Sequence, residues 1–160
     1  MDTKEFERLT TLFLDCIYRV AYSGCRNTAD TEDVVQNTFL KLLERKESFP
    51  EDDQAKYWLI RVAINECKSL WRTPWRQRVT STEELFSEPA FETPEQSDLY
   101  DAVRELPVKY RQVVHLYYFE DYSVKEIAGI LTLSETAVQT RLLRARQKLR
   151  EKLREKLKEA

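Results

Sequence analysis

The stretch Tyr122-Ser-Val-Lys-Glu-Ile-Ala-Gly-Ile-Leu-Thr-Leu-Ser-Glu-Thr-Ala-Val-Gln-Thr140 reads as two short helices around a tight turn. Ser123 is followed three residues later by Glu126, the spacing at which hydroxyl and carboxylate reciprocally satisfy orphan N–H groups at a helix start. Ile127, Ala128 and Leu131 supply the apolar stripe of that helix. Thr132-Leu133-Ser134 makes the turn, and Ser134 is placed to cap the next helix. There Val138, Leu142, Ala145 and Leu149 recur at i, i+4, i+7 and i+11, which puts them on one buried face. Thr136, Gln139, Thr140, Leu143, Arg144 and Gln147 fall on the other face. A preceding helix carries Val113, Val114, Leu116 and Tyr117 and is ended by Phe119-Glu120-Asp121-Tyr122. A second helix armed with polar and basic groups after a tight turn is helix-turn-helix geometry, and it points to duplex DNA.

The run that follows strengthens that reading. From Arg141 to the end, nine basic side chains oppose Glu151, Glu155 and Glu159, a net of +6 on one helix and suited to phosphates. Past Leu149, Leu153 and Leu157 continue a narrow apolar seam, which fits a solvated helix or a partner surface as well as a DNA contact.

A length of 160 residues allows one medium domain or two small ones. A hydrophobic fraction of 42% supports folded cores. With 2 Gly, 5 Pro, helical periodicity and no alternating strand runs, the chain reads as all-α. The net charge of −2 averages opposite segments. Between Thr80 and Glu105 eight carboxylates face Arg104 alone, while basic stretches flank them. The charged start and the lack of an 18-residue apolar run argue against a signal peptide or membrane span, so a cytoplasmic location is expected. Cys16, Cys25 and Cys67 lack metal-ligand spacing and read as buried structural thiols. A sole histidine, His115, and no Gly-rich phosphate loop or metal cluster leave no basis for an enzyme or a cofactor.

Three helices are expected in the first half, over about 3–25, 30–46 and 53–72. From Arg72 to Pro94 helical periodicity fails among prolines, Ser, Thr and Glu. This sets boundaries of 1–75 for a first domain, 76–94 for a flexible acidic linker and 95–160 for the helix-turn-helix domain. In the second helix Val34, Val35, Phe39, Leu42 and Leu43 make the core stripe, leaving Asp33, Gln36, Asn37, Leu40 and Lys41 opposite. In the third, Trp58, Leu59, Val62, Ala63 and Leu70 form the apolar side. Arg61, Asn65, Lys68 and Arg72 line a stripe of donors, and Trp71 and Trp75 interleave with the cations that follow. Cations beside aromatic rings suit unpaired nucleotides, whose backbone they neutralise while bases stack; the alternative is that the tryptophans cap the core.

Together these segments resemble the extracytoplasmic-function group of the bacterial sigma-70 family. Asp30-Thr-Glu-Asp-Val-Val-Gln-Asn-Thr-Phe-Leu40 is similar to its region 2.2, Tyr57-Trp-Leu-Ile-Arg-Val-Ala-Ile-Asn65 to regions 2.3 and 2.4, and Leu106–Arg111 with Tyr122–Leu149 to region 4. The resemblance implies two small helical domains, region 2 with three helices and region 4 with a helix-turn-helix. It implies binding to core RNA polymerase through the beta-prime clamp and beta flap, and promoter recognition at −10 and −35 elements with melting. Asp33, Gln36, Asn37, Phe39 and Leu40 would belong to the clamp-binding helix, with Phe39 partly in the core. Arg61, Asn65, Lys68, Trp71 and Arg72 would meet the −10 strand, and Ser48 to Lys56 would hold its flipped base. Thr136, Gln139, Thr140, Arg141, Leu143, Arg144, Arg146 and Lys148 would meet the −35 duplex. Many members are held by an anti-sigma factor, some of them membrane-anchored. Asn37 stands where the family often has an acid, and Gln139 where it often has Arg or Lys; the latter favours adenine over guanine. The competing expectation is a dimeric helix-turn-helix regulator that acts without polymerase.

Overall fold

The computed structural model describes residues 1–25, 27–72 and 94–159. They form two compact units, each considered by itself. The first is built from α1 (Thr3–Gly24), α2 (Thr28–Glu44) and α3 (Asp52–Arg72), every pair of which is packed together. Asp2 caps α1 by accepting the Glu5 N–H at 2.8 Å. Asn27 caps α2 by accepting the Asp30 N–H at 2.7 Å, so α2 starts earlier than the acidic cluster alone indicated. Leu9, Ile17 and Val20 of α1, Val34 and Leu42 of α2, and Leu59, Ile60 and Ile64 of α3 are buried. Each such side chain contributes about 1.5–3 kcal/mol relative to exposure.

The core stripe of α2 differs from expectation. Leu43 is 59% exposed, and Thr31 and Thr38 are buried instead. Their hydroxyls donate to the Asn27 and Val34 carbonyls at 2.8 and 2.7 Å, so burial leaves neither group unsatisfied. On α3, Ile60, Ile64 and Cys67 are buried along with Leu59 and Ala63, whereas Trp58, Val62 and Leu70 are half-buried. The three cysteines are buried, with the Cys25 and Cys67 sulfurs 3.6 Å apart.

The second unit comprises α4 (Pro94–Arg104), α5 (Val108–Val114), which continues into one π turn over His115–Phe119, α6 (Val124–Leu131) and α7 (Glu135–Glu159). Helices α4, α5 and α6 all pack on α7. Leu106, Tyr110, Val114 and Ala145 form a buried cluster, with Val103 and Leu149 against it. The capping box at α6 is complete: the Ser123 Oγ accepts from the Glu126 N–H and the Glu126 Oε1 from the Ser123 N–H, each at 3.1 Å. Ser134 Oγ accepts the Ala137 N–H at 3.1 Å and opens α7. Between them Thr132 adopts the left-handed conformation at φ 56°, which turns the chain sharply enough for Leu133 N–H to reach the Ala128 carbonyl. Beyond Leu149, α7 runs along α4, where Lys152 pairs with Glu105 at 3.1 Å and Lys156 donates to the Asp98 carbonyl at 3.4 Å. No helix among the described residues is long and apolar enough to cross a membrane.

Candidate nucleic-acid and polymerase interfaces

On α7, burial of Val138, Leu142 and Ala145 fixes the rotation of the helix. Thr136, Gln139, Leu143, Arg144, Arg146, Gln147 and Lys148 are therefore exposed, while Thr140 and Arg141 are half-buried. Thr140 donates its hydroxyl to the Thr136 carbonyl at 2.9 Å, so its methyl group and a lone pair remain to meet a ligand. Tyrosines from α5 and the π turn grip cations on both shoulders of this face. Lys109 and Lys148 lie 5.0 and 5.7 Å from the centre of the Tyr110 ring. Burial pushes the Tyr110 hydroxyl up, but Lys109 and a hydrogen bond with Arg144 outweigh it and hold the group below its ordinary value. On the other shoulder Arg146 donates Nε–H to the Tyr118 oxygen at 2.6 Å and lies over the Tyr117 and Tyr118 rings. The sequence reading missed these tyrosines because their pairing with α7 is tertiary, and no local spacing encodes it.

On α2, Asp33, Gln36, Asn37 and Leu40 are exposed, and Leu43 extends their face. Phe39 is 8% exposed and lies in the core beneath them. Asn37 Nδ2 reaches Glu66 at 3.5 Å, and Lys41 pairs with the same carboxylate at 2.6 Å, so this face is braced from α3.

On α3, Arg61, Asn65 and Arg72 are exposed and Lys68 is half-buried, forming the expected stripe. Arg61 lies 6.0 Å from the Tyr57 ring. Trp71 is half-buried, and its indole N–H donates to the Gly24 carbonyl at 3.0 Å. Its polar edge thus belongs to the bundle, and Trp71 fastens the end of α3 to the end of α1. Trp75 and the linker over 76–94 lie outside the described residues, apart from Pro94. Between α2 and α3, Arg45 lies 4.1 Å from the Phe49 ring and 5.2 Å from Trp58, whose rings are 5.6 Å apart. Arg45 Nε–H also donates to the Glu47 carbonyl at 3.0 Å, which folds the loop back on itself.

A three-helix unit with a donor stripe, followed by a capped helix-turn-helix, defines a class of DNA-directed factor. The family model for sigma-70 region 2 matches residues 9–77 and that for sigma-70 region 4 matches residues 96–149. The RNA polymerase sigma factor SigV of Bacillus subtilis (strain 168) is 30% identical over 151 residues, covering 89% of this chain and 91% of that protein. The RNA polymerase sigma-E factor of Streptomyces coelicolor (strain ATCC BAA-471 / A3(2) / M145) is 31% identical, covering 91% of this chain and 84% of that one. Among solved structures, the sigma factor RpoE in complex with the anti-sigma factor NepR from Bartonella quintana superposes with a TM-score of 0.79 at 24% identity. That alignment covers 95% of this chain and 98% of RpoE. CnrH in complex with the cytosolic domain of CnrY gives 0.63 at 25% identity, covering 95% of this chain and 89% of CnrH. The chain belongs to the sigma-70 family, in its extracytoplasmic-function group. These relatives give no support to a dimeric regulator working without polymerase.

Proposed function

We propose that this chain binds core RNA polymerase in the bacterial cytoplasm and directs it to promoters bearing a −10 and a −35 element. The observation that carries the reading is the donor stripe of α3 beside an uncovered α2 face in one unit, with an armed recognition helix in the other. Asp33, Gln36, Asn37 and Leu40, supported from below by Phe39, would meet the beta-prime clamp, and the second unit would meet the beta flap. Arg61, Lys68 and Arg72 neutralise the phosphates of the melted −10 strand. Asn65, the loop from Ser48 and the first turn of α3 as far as Lys56 receive its flipped base. Trp71 holds the end of α3 in place for that strand. Gln139, Thr140, Leu143 and Arg144 enter the −35 major groove, flanked by Thr136, Arg141, Arg146 and Lys148 on the phosphates.

The physical logic is capture. Unstacking a base costs a few kcal/mol, and stacking with phosphate contacts on the protein offsets it, so the open strand is selected as it forms. The residues between the units, rich in carboxylates, fit the basic RNA-exit path of polymerase. An anti-sigma factor, membrane-anchored or soluble, would cover these faces; the similar RpoE was solved with the anti-sigma factor NepR. The test is Asn65→Ala in reconstituted holoenzyme. Permanganate reactivity of −10 thymines should fall while polymerase association stays intact, and an unchanged footprint rejects the assignment.

A further inference from the structure

We propose that Glu5 and Arg8, one turn apart on α1, are positioning residues that set the shape of the base-receiving loop and hence its discrimination among bases at the flipped −10 position. The inference rests on the assignment of that loop to the −10 element made above.

The segment between α2 and α3 has no helix or strand to define it. Its inner side is ordered by the stack of Arg45, Phe49 and Trp58. Its outer side is fastened to α1 at two points. Ser48 donates its hydroxyl to Glu5 Oε2 at 2.7 Å, across 43 residues of sequence. Arg8 donates Nη1–H and Nη2–H to the two oxygens of Asp52 at 2.9 and 3.0 Å, across 44 residues. A two-pronged guanidinium–carboxylate contact fixes direction as well as distance. It holds the Asp52 carboxyl below its ordinary value and the Arg8 guanidinium above its own. Ser48 immediately precedes Phe49 and Asp52 opens α3, so one helical turn of α1 grips the chain on both sides of Phe49.

A loop reads a base well when it is already shaped to receive it. Releasing both fasteners leaves Phe49 held by the inner stack, with the loop tied back to the N-terminus through the Met1 amine on the Lys46 carbonyl, and a looser pocket accepts non-cognate bases more readily. Both contacts are exposed, so each is modest and weakened by salt.

The test uses holoenzyme assembled with core polymerase and fluorescent single-stranded −10 oligonucleotides differing at the flipped position. The double variant Glu5→Ala, Arg8→Ala should lose about two- to five-fold in the affinity ratio between the best and worst base. Affinity for polymerase and for a −35 duplex should stay at wild-type levels. The charge exchange Arg8→Asp with Asp52→Arg should recover discrimination that Arg8→Asp alone loses, which a general folding defect would not allow. Wild-type discrimination in the double variant, with discrimination lost in Asn65→Ala, overturns the proposal and leaves the −10 assignment standing. Wild-type discrimination in Asn65→Ala and Phe49→Ala overturns the −10 assignment, and the proposal falls with it.

Discussion

Among the described residues Asp121 and Thr132 adopt positive φ, and the β-branched Thr132 makes the sharper demand. It sits at φ 56° and ψ 52°, a region that costs a β-branched residue about 1–2 kcal/mol. The turn tolerates this because Leu133 N–H closes on Ala128 and Ser134 begins the next helix. Its side chain is exposed, so replacement forfeits no packing. Thr132→Asn should therefore raise the stability of the second unit by about 0.5–1 kcal/mol, read as a higher melting temperature. A lower one would mean that the threonine makes a contact its exposure conceals. Asp52 makes a different demand, on pH. Its carboxyl is held below the ordinary 3.8 by the hydrogen bond from Arg8. The pair's contribution is thus complete above pH 3.8 and is lost as pH falls through the lower folded value. Titrating the Ser48 and Asp52 amide signals by NMR should show the loop loosening in acid in the wild type. Arg8→Ala should already be loose at neutral pH.

At the scale of elements, what could be read from sequence follows from the range of the forces. The capping box at α6 and the Ser134 cap depend on groups three residues apart, so spacing alone reveals them. Ser123→Ala should cost about 1 kcal/mol in the second unit, measured by denaturant unfolding, with −35 binding reduced only in proportion to unfolding. The donor stripe of α3 was likewise legible, since Arg61, Asn65, Lys68 and Arg72 follow helical period. Illegible features depend on the neighbour. Leu43 and Thr38 lie close to the same stripe, and only the way α2 meets α1 and α3 decides that the threonine goes inside. The hydroxyl bond to Val34 makes that choice inexpensive. From sequence Trp71 reads equally well as a stacking platform or a core cap, and only the partner of its indole N–H, the Gly24 carbonyl, distinguishes them. The π turn at His115–Phe119, which presents Tyr117 and Tyr118 to Arg146, had no local signal at all.

For the molecule as a whole, a net charge of −2 conceals segments with opposite tasks, and the two units carry separate surfaces. Surfaces that share no residues, such as the α2 face and the exposed face of α7, should act independently in free energy. Leu43 is exposed beside Leu40 on the α2 face, so Leu43→Glu puts a charge into the proposed polymerase-binding surface without disturbing the core. It should weaken association with core polymerase about tenfold or more and leave the melting curve unchanged. Arg144 is exposed on α7, on the face opposite the buried Val138, Leu142 and Ala145. Arg144→Ala should cost about 1–3 kcal/mol in −35 duplex binding by holoenzyme, with polymerase association unaltered. Combined, the two losses should add within about 0.5 kcal/mol in titrations scored by fluorescence anisotropy. If Arg144→Ala weakened polymerase binding as much as DNA binding, the recognition helix would be serving the polymerase contact too. The division of labour between the units would then have to be abandoned.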